Sequence, residues 1–205
     1  MSNRKPTMHV LRAVMMALAV LAAPSLAHAQ SDDAARARAG LDAAAAVRFD
    51  AALARARSQG LPTESLVNKA LEGIAKQVPS ARIAGAIEQR LAVLGRAQAA
   101  LGPARGANAD ISAVADAMQR GVGAEAVRAL REQAGTNVPV GVAAHVLADL
   151  SERGVPTDVA LDVLAAWRQR GGRVDELPDI AAGVDRLVRQ GMLPAQAGAA
   201  VAGSL

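Results

Sequence analysis

His145, Asp149, Ser151 and Glu152 lie within two helical turns of one another. A histidine with a carboxylate at i+4 is a pairing that can orient an imidazole as a general base. The same spacing describes a helix-surface histidine with an i,i+4 partner, and one helix supplies neither a facing nucleophile nor a pocket. Ser, His and Asp on one short helix do not face each other as a triad does. No catalytic residue is assigned on this basis.

Two further acid clusters are Asp158 with Asp162, and Asp175 and Glu176 with Asp179. Paired carboxylates serve calcium binding and glycoside hydrolysis. The alternating oxygen ligands and terminal acid of a helix–loop–helix calcium site are missing, however. Asp158, Asp175 and Glu176 each stand where a helix is expected to begin, and negative charge there complements the helix dipole. Structural zinc needs Cys and His, yet the chain has no Cys and His145 is its only histidine beyond residue 28. No metal and no cofactor are expected.

The run Gly121-Val122-Gly123-Ala124-Glu125-Ala126 has the glycine spacing of a dinucleotide turn. That turn works only between a strand and a helix, and here a helical stripe precedes it. Trp167, followed by Arg168 and Arg170, is the one candidate binding surface. An exposed indole beside guanidinium groups stacks ligands or sits at a lipid interface. Trp167 also falls in register with Val159, Val163 and Leu164, which favours packing in the core.

The elements that must hold these residues follow from a recurring punctuation. A hydrophobic residue followed by Pro appears as Leu61-Pro62, Val78-Pro79, Val138-Pro139, Val155-Pro156 and Leu193-Pro194, with Val122-Gly123 as a degenerate copy. Pro62 to Pro79 and Pro139 to Pro156 are equal intervals, each one helix plus one turn. Pro keeps the preceding residue extended, and its fixed φ suits a first helical turn. Between these marks apolar residues recur at 3–4 spacing. Leu41, Ala45, Phe49, Ala52, Leu53 and Ala56 form one stripe; Leu66, Val67, Ala70, Leu71 and Ile74 form another. Ile83, Ala86, Ile87, Leu91 and Leu94 mark a longer helix reaching Leu101. Later stripes are Ile111 to Met118, Val127 with Leu130, Val142 to Leu150, Val159 to Trp167, and Ile180 to Val188, before a final apolar helix from Pro194. Ser31-Asp32-Asp33 is read as a cap before a frayed opening helix at Ala34–Ala39. Gly135 to Val138 is read as a closing turn and Gly171-Gly172 as a strong stop. No period-2 strand pattern is present.

The fold class expected is therefore all-α: antiparallel short-helix hairpins in a repeat-like array or a compact multi-helix bundle. Residues 30–205 are read as a single all-α helical-hairpin domain, subdivided near the Pro- and Gly-bearing linker at 102–110. With Phe49 and Trp167 its only aromatics, the core must be built from Ala, Val, Leu and Ile.

Residues 1–29 read as a cleavable secretory signal. Arg4, Lys5 and Arg12 form a basic start, Ala13 to Ala23 an apolar run, and Pro24 a break. Ala27-His28-Ala29 places small residues where a signal peptidase reads, with the cut after Ala29. The apolar run is short of the ~20 residues a membrane span needs, which disfavours a retained anchor. Three of the 23 basic residues and none of the 19 acidic ones lie in this segment, so the mature chain is close to neutral. The high overall pI is then no footprint for nucleic acid, which is not an expected partner. Absence of Cys excludes disulfides, cysteine nucleophiles and thiol-anchored lipidation.

These features lead to the expectation of a periplasmic or secreted, non-enzymatic helical binding or scaffold protein of a bacterial cell envelope. Its partner would be an envelope protein or a second copy of the chain. Two alternatives remain: an enzyme whose acidic and Ser residues converge only in the fold, and a less favoured helical protein associated with a membrane surface.

Overall fold

The computed structural model describes residues 23–102, 108–133 and 139–205. Residues 1–22 of the expected signal, the 134–138 turn with Val138 of the punctuation, and most of the expected linker lie outside them. The described residues form ten α-helices and one 3-10 turn: α1 (Ala23–Ala39), α2 (Ala43–Ser58), α3 (Thr63–Ala75), α4 (Ser80–Leu101), α5 (Asn108–Gln119), α6 (Ala124–Gln133), α7 (Val140–Glu152), α8 (Thr157–Gln169), the turn Val174–Glu176, α9 (Leu177–Arg189) and α10 (Pro194–Ser204). The all-α class is what the chain adopts. Two boundaries differ from expectation. Ser31, Asp32 and Asp33 lie inside α1 and not at its start, because the Ala-rich sequence on both sides sustains a helix. The effective N-cap nearby is Asp42, whose carboxylate accepts from Ala45 N at 2.8 Å and starts α2.

The punctuation has one stereochemical form. Before six of the restarts a residue turns to positive φ: Gly60, Gln77, Gly121, Gly154, Gly171 and Gly191. The next residue's N–H then reaches five positions back, as in Leu61 N to Ala56 O at 2.8 Å, Val78 N to Gly73 O at 2.9 Å and Val155 N to Leu150 O at 3.1 Å. These are Schellman closures, which satisfy carbonyls left over at a helix end. Leu61, Val78, Val122 and Val155 are themselves the closing residues, and Leu61, Val122 and Val155 are buried; at Leu193-Pro194 the closing residue is Met192, and Leu193 is the exposed N-cap. Pro62, Pro79, Pro139 and Pro156 sit at the N-cap, one place earlier than expected, and only Pro194 lies in a first turn. At the cap the Pro carbonyl still accepts the first helical bond, as Pro156 O does from Ala160 N at 2.9 Å.

Substantial contacts join each helix only to helices one or two places away along the chain, the near-neighbour pattern of a repeat array. The even-numbered helices make an unbroken row: α2 on α4, α4 on α6, α6 on α8, α8 on α10. The odd-numbered row runs α1 on α3, then α5 on α7 and α7 on α9. Among the described residues α3 and α5 make no substantial contact. The row parts there while α4, the longest helix, runs beneath both. Buried Ala, Val, Leu and Ile from Ala37 to Val201 form one continuous apolar cluster, with Phe49 and Trp167 inside it. α5 leans instead on α7: Gly141 N donates to Asp110 Oδ1 at 2.9 Å, and a Cβ on Gly141 would meet Ala113 Cβ at 2.8 Å.

Candidate functional site

The gap in the odd row is an open cleft of about 770 Å³. Its walls are α3, through Ser65, Asn68, Lys69 and Glu72, and α5, through Ser112, Asp116 and Gln119. Arg90 rises from α4 at its floor and is only 6% exposed. Its guanidinium spans the missing helix contact. Nε donates to Ser65 Oγ at 2.7 Å, Nη1 to Gln119 Oε1 at 2.6 Å, and Nη1 also lies 2.7 Å from Asp116 Oδ1. Nη2 reaches Ser112 O at 3.5 Å. A buried cation must be paired and hydrogen-bonded to persist, and here both walls contribute.

The other charges of the cleft are engaged with one exception. Glu72 on α3 accepts from Lys76 Nζ at 2.5 Å and Lys69 Nζ at 3.0 Å. Those two ammonium groups, Lys76 foremost, hold its carboxyl down at about 2. Such an acid stays ionised near neutrality and neither gives nor takes a proton there. Glu64, exposed at the start of α3, forms no ion pair among the described residues. It also lines a second pocket of about 240 Å³ on the α1 side of α3. Thr63 and Asn68 line both as well.

Arg90 is not among the residues that type and spacing single out, because a charge ordinarily marks a solvent-facing position. The signal was available: Ile83, Ile87, Arg90 and Leu94 are in helical register, so Arg90 stands on a buried stripe. The cleft's other wall could not be anticipated, since the separation of α3 from α5 depends on packing far along the chain.

The residues singled out by sequence lie elsewhere. His145 is exposed on α7, with Nδ1 3.4 Å from Arg120 Nη1. Asp149 and Glu152 are bound by Arg120 from the turn after α5. Nε of Arg120 meets Glu152 Oε1 at 2.7 Å, and Nη2 contacts both carboxylates. Arg120 holds the Glu152 carboxyl below its ordinary range. The Ser151 hydroxyl donates to Leu147 O on its own helix at 2.9 Å. His145, Asp149 and Glu152 thus gather on Arg120 in a network that braces α7, and Ser151 bonds only within its own helix.

Asp158 and Asp162 are exposed on α8. Asp175 pairs with Arg173 at 2.9 and 3.0 Å, and Glu176 accepts from Arg173 N at 3.1 Å and Arg170 Nη2 at 3.2 Å. Trp167 is 2% exposed, whereas Arg168 and Arg170 beside it are exposed. The indole is closed over by Gly172, where a Cβ would lie 2.1 Å from Nε1. Trp167, Arg168 and Arg170 therefore do not share one face. Among the described residues no three His, Asp or Glu side chains converge as metal ligands, and no helix is long and apolar enough to cross a membrane.

No family model, no curated protein and no solved structure matches this chain in comparisons with each.

Proposed function

We propose that the chain is an exported, non-enzymatic helical binding or scaffold protein of the cell envelope, and that the cleft between α3 and α5 is its contact surface. The observation carrying this reading is that the array parts at one place and leaves a polar opening whose charges, Glu64 excepted, are already paired. Repeat arrays bind along surfaces of this kind. Export is supported by the basic start, the apolar run ending at Pro24 and the Ala27-His28-Ala29 site.

The enzymatic alternative draws on the same cleft, which gathers titratable groups from three helices and two serines. Against it, Ser65 is held by Arg90 and faces no base, Glu72 is fixed in its ionised form, and Asp116 is bound to Arg90. A nucleophile needs an adjacent base to be activated.

The cysteine-free chain allows a clean test. A photo-crosslinker is placed on Asn68→Cys in the cleft and, separately, on Val47→Cys, an exposed site on α2 (66%). Cells are fractionated after irradiation. The expected result is a periplasmic or secreted protein giving a discrete adduct from position 68 and none from position 47. Retention in the cytoplasm, or equal adducts from both positions, refutes the proposal.

A further inference from the structure

Two opposite charges face one small space without meeting. Glu64 on α3 and Arg57 on α2 both line the pocket of about 240 Å³ between α1 and α3, and neither forms an ion pair among the described residues. Neighbouring charges are otherwise spent: Asp33 pairs with Arg36, Glu72 with Lys69 and Lys76, and Asp116 with Arg90. Asn68 stands on the ridge of α3 between this pocket and the larger cleft, and its exposed amide has no hydrogen-bond partner among the described residues. A primary amide offers a donor pair and an acceptor side by side, which matches one peptide unit. The two spaces share Thr63, Glu64 and Asn68, so they are adjoining halves of a surface trough divided by α3, one toward α5 and the other toward α1.

We infer that this trough binds an extended peptide segment of mixed charge. A basic side chain lies against Glu64, an acidic one reaches Arg57, and the intervening backbone hydrogen-bonds to Asn68. The inference rests on the binding reading above and names the ligand of that surface. A single amino acid would fill the smaller pocket and leave the larger cleft empty. Single-stranded nucleic acid favours an aromatic stacking platform and a cationic track. Here the aromatics, Phe49 and Trp167, are buried, and the cleft carries Glu64, Glu72 and Asp116 against Lys69 and Arg90.

The test is an NMR titration of the isotope-labelled protein with four capped synthetic peptides. Two alternate glycine with Lys and Glu in opposite orders, one carries Lys only and one Glu only. The expected result is that one mixed-charge order binds most tightly, shifting resonances of α3 and the Asn68 side-chain amide, with affinity falling as salt rises. Glu64→Gln, Arg57→Gln and Asn68→Ala should each weaken that peptide about fivefold. All three positions are exposed, so thermal unfolding of the variants serves as the control for folding. Absence of shifts in α3 with either mixed peptide, or affinity unchanged in all three variants, overturns the inference. A discrete crosslink from position 68 that is indifferent to Glu64→Gln and Arg57→Gln would sink this ligand assignment and leave the binding reading standing.

Discussion

Nη1 of Arg90 lies 2.7 Å from Oδ1 of Asp116, a contact that ties α4 to α5 where the odd row of helices parts. The pair is asymmetric: the Arg90 side chain is 8% exposed and that of Asp116 is 54% exposed. Removing the two partners therefore has different costs. Arg90→Met takes a cation from Ser65, Gln119 and Asp116 together. It should cost about 2 kcal/mol, below the usual loss for a fully buried pair because water enters the cleft. Asp116→Asn leaves the Ser65 and Gln119 bonds in place and should cost under about 1 kcal/mol. Urea unfolding of the two variants measures the difference, and equal losses would contradict the bridging role of Arg90.

Gln77 is the one non-glycine residue at positive φ among the described residues, at 55° in the closing turn of α3. A side chain in the left-handed region costs about 1 kcal/mol, which glycine does not incur. Gln77 is exposed and gives up no packing. Gln77→Gly should accordingly raise stability by about 1 kcal/mol, and Gly60→Ala, at the equivalent turn after α2 with φ 65°, should lower it by a similar amount. Thermal melts of both variants check the pair of signs.

Glycines that are not at positive φ divide by what surrounds them. A Cβ at Gly172 would lie 2.1 Å from Trp167 Nε1 and 2.3 Å from Cδ1. The indole is buried and cannot swing aside, so Gly172→Ala should cost about 3 kcal/mol through overpacking. Gly85 and Gly95 lie within α4 with open space at the Cβ position. There alanine lowers the entropy lost on folding, and each Gly→Ala change should add about 0.5–1 kcal/mol. Calorimetry on the three single variants would show one loss and two gains.

Acid should loosen the array through its carboxylates. Glu72 is held at about 2 by Lys76 and Lys69, against an ordinary value of 4.5, and Glu88 and Glu152 are lowered by Arg48 and Arg120. A group whose pKa is depressed on folding contributes stability above its unfolded value and loses it as pH falls through the folded one. The melting temperature should thus hold near neutrality and decline as pH falls below about 4.5 toward 2. These groups are exposed and solvent-screened, so the decline is shallow and shallower still in high salt. Melts across that range, with Glu72→Gln flattening the curve, provide the measurement.

What the sequence made legible follows the range over which each feature is decided. The helix stops at Gly60, Gly121 and Gly154 are local: one residue and its φ determine them, and the recurring hydrophobic-Pro step announces them. The stop at Gln77 carries the same step without glycine, so Val78-Pro79 located it when residue type alone would not. The parting of α3 from α5 is non-local. It depends on α5 leaning on α7 through Asp110 and Gly141, residues with nothing unusual in their spacing. Arg90 lies between these cases. Its register with Ile87 and Leu94 was visible, but its partners Ser65 and Gln119 come from helices on either side.

Trp167 gives the most direct test of the packing. It is the sole tryptophan, 2% exposed, with Nε1 buried and lacking a hydrogen-bond partner. An indole in that setting should emit at short wavelength in the folded protein and shift to the red on unfolding, and a polar quencher such as acrylamide should reach it only after unfolding. Trp167→Ala removes the largest buried side chain and should cost about 4 kcal/mol. Trp167→Phe deletes the unpaired N–H along with one ring, so the relief of an unsatisfied donor offsets part of the cavity. It should cost about 1–2 kcal/mol. Red-shifted, freely quenched emission from the folded protein would instead place the indole on the surface beside Arg168 and Arg170.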